Sequence, residues 1–331
     1  MKDIAEALGV SLMTVSKALR GHTDISEETR ARVAECARKL DYRPNWIARS
    51  LVTRRTYLVG LVIPDLMHSF FAEVAKGVER KLGPLGYQIV ISNSGEDAVT
   101  EDRQLEMLAG RSVDGLIVAS AASNAAKGML RDVMQREIPV VLIDRMPAGV
   151  EANFVGCRDE DIGALATRHL IEQGCRRIAH IRGRQLPNSN ARLRGYRRAL
   201  EKHGLRYAPE LVAAGAFDDS GGYAAMRTLL SLTPPPDGVF CYNDPVAAGA
   251  IKAALEAGLD VPRQLAIIGA GNVHYSDLLL IPLSTIDQRS AFIGEEAAAM
   301  LVECIEAKTA PPPRRVLVPP RLVVRESSRR K

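Results

Sequence analysis

The feature that most constrains the fold is a series of short apolar runs at 57–63, 87–93, 113–119, 139–145, 176–182, 237–243 and 265–270, spaced by helix-length stretches. These runs (YLVGLVI, YQIVISN, VDGLIVA, PVVLIDR, RRIAHIR, DGVFCYN, LAIIGA) lack the strict polar alternation of a strand with one wet face. That is how parallel strands covered on both faces read. Phe71, Val74, Val78 and Leu82 supply a helical stripe between the first two. Repeated strand–helix pairs predict doubly wound parallel α/β sheets with ligands at the carboxyl ends of the strands. About 270 residues is too long for one such unit and natural for two.

At 331 residues, 47% apolar and 25% charged, the chain has the balance of a globular protein with a full core. This excludes disorder, collagen and coiled coil. Apolar stretches such as Tyr57 to Val62 fall well short of the roughly 18 residues a bilayer span needs. The N-terminus carries acids where a secretory signal needs an apolar stretch. A cytoplasmic protein with no membrane partner is therefore expected. The five cysteines (36, 157, 175, 241, 304) are odd in number and never closer than 18 residues, so buried free thiols are expected rather than disulfides or a metal knuckle.

Net charge is +5, but residues 1–56 carry +4 and residues 311–331 carry +6, leaving −5 for the body between them. A basic leading module on an acidic body points to a polyanion at one end. The first forty residues read as three short helices. Ile4, Ala7 and Leu8 share a face of the first, which Gly9 ends. Ser11 caps a second helix with Thr14, Val15, Ala18 and Leu19 inward. Ser26 caps a third, with Glu27 and Glu28 in its first turn and Val33, Ala37 and Leu40 facing in. Two short helices joined by a tight Gly-containing turn form the helix-turn-helix unit, whose second helix enters the major groove.

KDIAEALGVSLMTVSKALRG, then ISEETRARV and LDYRPNWIARSL, resembles the DNA-binding headpiece and hinge of the LacI/GalR family of bacterial repressors. The resemblance implies that Leu12, Met13 and Lys17 read bases while Ser11, Thr14, Ser16 and Asn45 hold phosphates. Leu12 and Met13 would read a thymine methyl or groove shape, their alternative being packing within the headpiece. Lys17, able to donate to guanine O6 and N7, is the main polar reader. The segment 45–53, two helical turns at most, would fold on DNA as in the family. There Leu51 wedges between central base steps and Ala48 lets paired hinge helices approach. Trp46, the only tryptophan, lies here. The family usually has a short arm ending in Thr or a similar cap before the first helix, whereas here only Met1 precedes Lys2. A start a few codons upstream is therefore expected.

The resemblance extends over the body. It implies two similar subdomains like those of a periplasmic sugar-binding protein, crossed by the chain near Cys157, Asp287 and Pro319. The expected division is a headpiece at 1–44, a hinge at 45–56, an effector and dimerisation domain at 57–326 (57–157 with 288–318, and 158–287 with 319–326), and a basic tail at 327–331 in which Arg329-Arg330-Lys331 is disordered. By position, His68, Phe70, Phe71, Arg145, Arg192, Phe217, Asn243, Asp244, Asn272 and Gln288 would bind the effector. Phe71 could instead be helix core, and His68 plain surface. Aromatic faces with a few convergent polar groups suit a sugar. Gly269-Ala270-Gly271-Asn272 lacks the carboxylate usual in the family after this strand. Its loss beside Arg145 and Arg192 leans toward an acidic or phosphorylated sugar.

A nucleotide-binding enzyme is the rival reading, from Gly269-x-Gly271 after a strand, but the third glycine is missing. The six histidines (22, 68, 169, 180, 203, 274) form no HExxH, and GxSxG and GxxxxGK are absent. The sequence thus predicts a repressor without enzymatic activity or cofactor, acting as a homodimer on a pseudo-palindromic operator. Cleft closure would change operator affinity by a coupling of roughly 1–3 kcal/mol. A constitutive or corepressor-dependent regulator with a non-sugar ligand is the alternative. No leucine heptad follows a last strand expected at Leu317 to Val324, so no tetramerising coiled coil is expected.

Overall fold

The computed structural model describes residues 1–19, 22–42, 50, 55–122, 128–214 and 218–330. Two compact units divide at Thr56/Tyr57. The first holds three helices: α1 (Lys2–Leu8), α2 (Leu12–Leu19) and α3 (Glu27–Lys39). Gly9, at φ 65°, closes α1 in the left-handed region that favours glycine. Ser26 caps α3 by accepting from Thr29 N–H at 3.3 Å. Ile4, Ala5, Val15, Ala18, Val33 and Ala37 form the core. Two expectations shift by phase. Ala5 rather than Ala7 is buried beside Ile4, and Leu40 follows α3 half exposed instead of facing in.

The second unit contains two six-stranded sheets. The chain runs β1 (Leu58–Ile63), α4 (Ser69–Leu82), β2 (Gln88–Asn93), α5 (Ala98–Gly110), β3 (Gly115–Val118), α6 (Met129–Gln135), β4 (Val140–Ile143) and β5 (Asn153–Cys157). It continues with α7 (Asp159–Glu172), β6 (Ile178–Ile181), α8 (Pro187–Lys202), β7 (Val212–Ala213), α9 (Asp219–Leu230), β8 (Gly238–Cys241), α10 (Asp244–Glu256), β9 (Ala266–Gly271) and β10 (Ser284–Asp287). It ends with α11 (Ser290–Glu306), β11 (Arg315–Val318) and β12 (Arg321–Val323). The first sheet has the order β11-β5-β4-β3-β1-β2, the second β12-β10-β9-β8-β6-β7. Every pairing is parallel except β12 against β10, where Ile286 faces Leu322.

Central strands β3, β4, β6, β8 and β9 are buried at every residue, which is why they carry continuous apolar runs. Each fully buried Val, Leu or Ile there contributes about 1.5–3 kcal/mol. The chain passes from the first sheet to the second after β5, returns after β10, and crosses again between β11 and β12. The run expected as one last strand is thus two, broken at Pro319-Pro320 and shared between the sheets. Prolines cannot donate to a ladder, so the change of sheet falls there.

The carboxyl-terminal segment departs from the disordered tail expected. Ser327 and Ser328 are buried, and His169 Nε2 lies 2.7 Å from Ser328 Oγ. Arg330 N–H donates to Gln173 Oε1, while its guanidinium donates to the carbonyls of Pro262, Asp237 and Gln264. A side chain bonded to three carbonyls is fastened, and its charge suits those oxygens.

Candidate functional site

In the headpiece, α2 presents two faces. Val15 and Ala18 are buried against the other helices, while Leu12 is 51% and Met13 64% exposed. Packing within the headpiece is thus not the role of Leu12 and Met13. Ser11 Oγ accepts from Thr14 N–H at 3.0 Å and shares a hydrogen bond with Thr14 Oγ1 at 2.9 Å, fixing the start of the helix. Ser16 and Lys17 lie half-buried on the side of Leu12 and Met13. Lys17 Nζ donates to Asp24 Oδ2 at 2.5 Å, and that ammonium holds the Asp24 carboxyl below the usual carboxylate range. Asn45, Ala48 and Leu51, with Trp46, lie outside the described residues.

In the second unit, a narrow cleft, partly open to solvent, sits at the carboxyl ends of strands from both sheets. This is where doubly wound sheets bind ligands. His68, Phe70 and Phe71 follow β1, Glu96 follows β2, and Asp144 and Arg145 follow β4. Arg184 and Leu186 follow β6 and Arg192 is on α8, while Tyr242 and Asn243 follow β8 and Gln288 follows β10. Seven of the expected effector residues are thereby brought together: His68, Phe70, Phe71, Arg145, Arg192, Asn243 and Gln288. Phe71 is core and cavity wall at once. Phe217 lies outside the described residues.

Asp244 and Asn272 do not reach the cavity. The buried Asp244 carboxylate accepts from Thr285 Oγ1 at 2.6 Å, Ser276 Oγ at 2.8 Å and Val273 N–H at 3.0 Å. It fastens the loop after β9 to β10, so its accepting capacity is spent inside the lobe. Burial raises its pKa, opposed by those hydrogen bonds. Asn272 Oδ1 accepts from Arg325 at 2.8 Å and anchors the carboxyl-terminal segment.

The arginines on which the lean toward an acidic ligand rested are already paired. Arg145, 3% exposed, donates to both oxygens of Glu96 at 2.7 and 2.8 Å and to Asp144 Oδ2 at 3.1 Å. Arg192 donates to Asp159 Oδ1 at 2.9 Å, Tyr242 O at 2.6 Å and Gln288 Oε1 at 2.9 Å, with its guanidinium 4.7 Å from the Tyr242 ring centroid. Burial disfavours charge on Arg192, but Asp159, Tyr242 and Asp144 together more than restore the balance. Asp65, Glu96 and Asp144 line the cavity against Arg145, Arg184 and Arg192, so the wall has no surplus positive charge. Glu96 and Asp159 are the partners that strand-end reasoning missed. They lie 49 and 33 residues along the chain from their arginines, and no local pattern marks such a pair.

Helix spacing sets this geometry. A Cβ on Gly163 would lie 2.0 Å from Arg192 O, and one on Gly195 1.9 Å from Glu160 O. Only glycine at both positions lets α7 and α8 approach closely enough for Asp159 to reach Arg192. Polar groups of the two lobes meet at the cavity. Asn188 Nδ2 donates to Asp144 Oδ2 at 3.3 Å, and His68 Nε2 lies 3.1 Å from Asn243 Nδ2. Burial lowers the pKa of His68, leaving a neutral ring. Its Nδ1 accepts from Phe70 N–H, while Asn243 Oδ1 accepts from Val246 N–H. That assignment turns a hydrogen on each side toward the shared contact, where an acceptor oxygen would take both.

Residues 1–45 match the model of bacterial regulatory proteins of the lacI family, and residues 167–328 match that of a periplasmic binding protein-like domain. The ribose operon repressor of Escherichia coli strain K12 is 35% identical over 96% of this chain and 97% of its own length. The chain belongs to the LacI family. Another LacI-family relative, the HTH-type transcriptional repressor PurR of Yersinia enterocolitica, is 36% identical over 99% of this chain and 96% of its own. The solved complex of transcriptional regulator CelR with cellobiose matches at a TM-score of 0.77 and 31% identity, covering 98% of both chains. As a member of the LacI family, the protein is a DNA-binding transcriptional repressor responsive to a small molecule, not an enzyme. Among the described residues no cluster of three or more His, Cys, Asp or Glu could hold a metal ion, and no helix is long and apolar enough to cross a membrane.

Proposed function

We propose that the cavity takes a neutral sugar and that its occupancy changes the affinity of a homodimer for a pseudo-palindromic operator. The observation that carries this is the pairing of the cavity's charges. Arg145 and Arg192 each already face a carboxylate at 2.7–2.9 Å, so an anionic ligand would have to displace Glu96 or Asp159 at a large desolvation cost. A polyol needs no such exchange. Phe70 and Phe71 offer apolar faces to its C–H groups, and its hydroxyls can meet the hydrogens converging between His68 and Asn243. The ribose and cellobiose in the names of two similar proteins, the ribose operon repressor and the CelR complex, are neutral sugars.

In this reading, residues 1–44 bind DNA, 45–56 form the hinge and the remainder binds effector and partner copy in the cytoplasm. Ser11, Leu12, Met13, Thr14, Ser16, Lys17, Asn45, Ala48 and Leu51 contact the operator. Met67, Leu278 and Leu280, exposed at 90%, 77% and 89%, give apolar surface for a second copy to cover. The test is a thermal-shift panel of neutral pentoses, hexoses and disaccharides, uronic acids, sugar phosphates and purines. Stabilisation by a neutral sugar is expected. Stabilisation by a purine or a phosphate alone would overturn the reading.

A further inference from the structure

The ion pair between Lys17 on α2 and Asp24, in the turn before α3, offers more than one lysine donor. Lys17 Nζ and Asp24 Oδ2 lie 2.5 Å apart, with 36% and 51% of their side chains exposed, and Leu12 and Met13, earlier on the helix that carries Lys17, are exposed too. An ammonium has three donors and no acceptor, and a carboxylate has acceptors only. With one Lys17 donor spent on Asp24, two remain. The Asp24 carboxylate retains lone pairs after accepting from Lys17. The pair therefore presents a donor beside an acceptor, at a spacing close to that of two hydrogen-bonded base edges.

We propose that Lys17 and Asp24 act together as one donor–acceptor unit reading both bases of a single G·C pair, with Asp24 a specificity-determining residue. The proposal rests on α2 entering the major groove. There a G·C pair shows guanine N7 and O6 as acceptors and then cytosine N4–H as a donor. Lys17 donates to N7 and O6, and Asp24 accepts from N4. A reversed C·G pair sets acceptor against acceptor. A T·A pair repeats the central order, O4 and then adenine N6, but places the thymine methyl where Lys17 needs N7. An A·T pair sets Asp24 against O4. Asp24 thus rejects wrong pairs by repulsion and also restrains Lys17 from phosphates, which every sequence offers.

The experiment selects bound duplexes from a random library with the full-length protein and with Asp24→Ala and Asp24→Asn. On the selected site, cytosine is then replaced by an analogue lacking the 4-amino group, and guanine by 7-deazaguanine. The wild type should lose about tenfold or more in affinity with either analogue, within the range of a good base contact. Asp24→Ala should be indifferent to the cytosine analogue yet still lose affinity with 7-deazaguanine. It should also bind unselected DNA more tightly, with a salt dependence steeper by about one phosphate contact. Asp24→Asn, which keeps an acceptor but no charge, should fall between. Equal sensitivity of wild type and Asp24→Ala to the cytosine analogue would overturn the proposal while leaving Lys17 a base reader. Failure of the wild type to enrich any sequence would overturn the groove-entry reading itself. Unchanged melting temperatures confirm that the variants fold.

Discussion

In the cavity, Arg145 and Arg192 are each 3% exposed and face carboxylates at 2.7–2.9 Å; in the headpiece, Lys17 has a similar partner at 2.5 Å but stays 36% exposed. The chemistry of the three pairs is alike, and burial separates what they can do. Removing either member of a buried pair leaves an uncompensated charge in a medium that solvates it poorly. The partners are then permanent, and the guanidiniums behave as shaped, neutral walls. At the surface, water and salt replace either partner at little cost, so Lys17 and Asp24 can share their donors and acceptors with a base edge. One pairing rule yields a rigid site in one region and an exchangeable one in the other.

The harshest way to break this contrast is Arg145→Met, which leaves the part-buried Glu96 without its bidentate partner. Chemical denaturation of the full chain should show a loss of about 3–5 kcal/mol. A negligible loss would mean that the cavity pair is as solvated as the headpiece pair.

His180 sharpens the comparison from the other side, because it is buried with no carboxylate beside it. Its Nδ1 lies 2.9 Å from Phe240 O and its ring stacks on Phe240 at 4.6 Å. Burial pushes its pKa down to about 4, the Phe240 carbonyl opposing. The unfolded chain takes up this proton below about 6.5, but the folded protein resists until about 4. Stability present above 6.5 is therefore lost as the pH falls through that window, by about 2 kcal/mol between pH 7 and 5. His180→Gln should lose less stability than the wild type over that interval, by about this amount, in denaturation curves at the two pH values. Parallel losses would show that His180 is already charged or solvated in the fold.

Asp24→Asn should give the smallest change. Its melting temperature should match that of the wild type at low and high salt, because the group is exposed and its pairing screened. A clear drop at low salt would place the headpiece pair with the structural ones.

Much of the fold is legible in the sequence because buried parallel strands must be apolar throughout, and the seven runs so marked became β1–β4, β6, β8 and β9, with β2 a largely exposed edge strand. Other strands hid behind polar residues whose partners come from far along the chain. Asn153 in β5 bonds Arg314 N–H and Cys304, and Ser284 and Thr285 in β10 bond Arg325, Ser327 and Asp244. Local periodicity reads such strands as loops. Some cavity residues that follow a marked strand were legible, as Arg145 and Asn243 were, while Glu96 after β2 and Arg184 after β6 were not. The lean toward an acidic ligand counted the carboxylate missing at Asn272 without the one supplied by Glu96, which only the folded chain brings to Arg145. The fastening of Arg330 escaped for the same reason, since its acceptors are backbone carbonyls that no sequence pattern displays.

The most direct test of the central claim is calorimetric titration of the full chain with the best-binding neutral sugar and its uronate, each at low and high salt. The neutral sugar should bind at least about tenfold more tightly, with an affinity that salt leaves unchanged. Tighter binding of the uronate, weakening as salt rises, would show that Arg145 or Arg192 is available to an anion and would contradict the pairing on which the account rests.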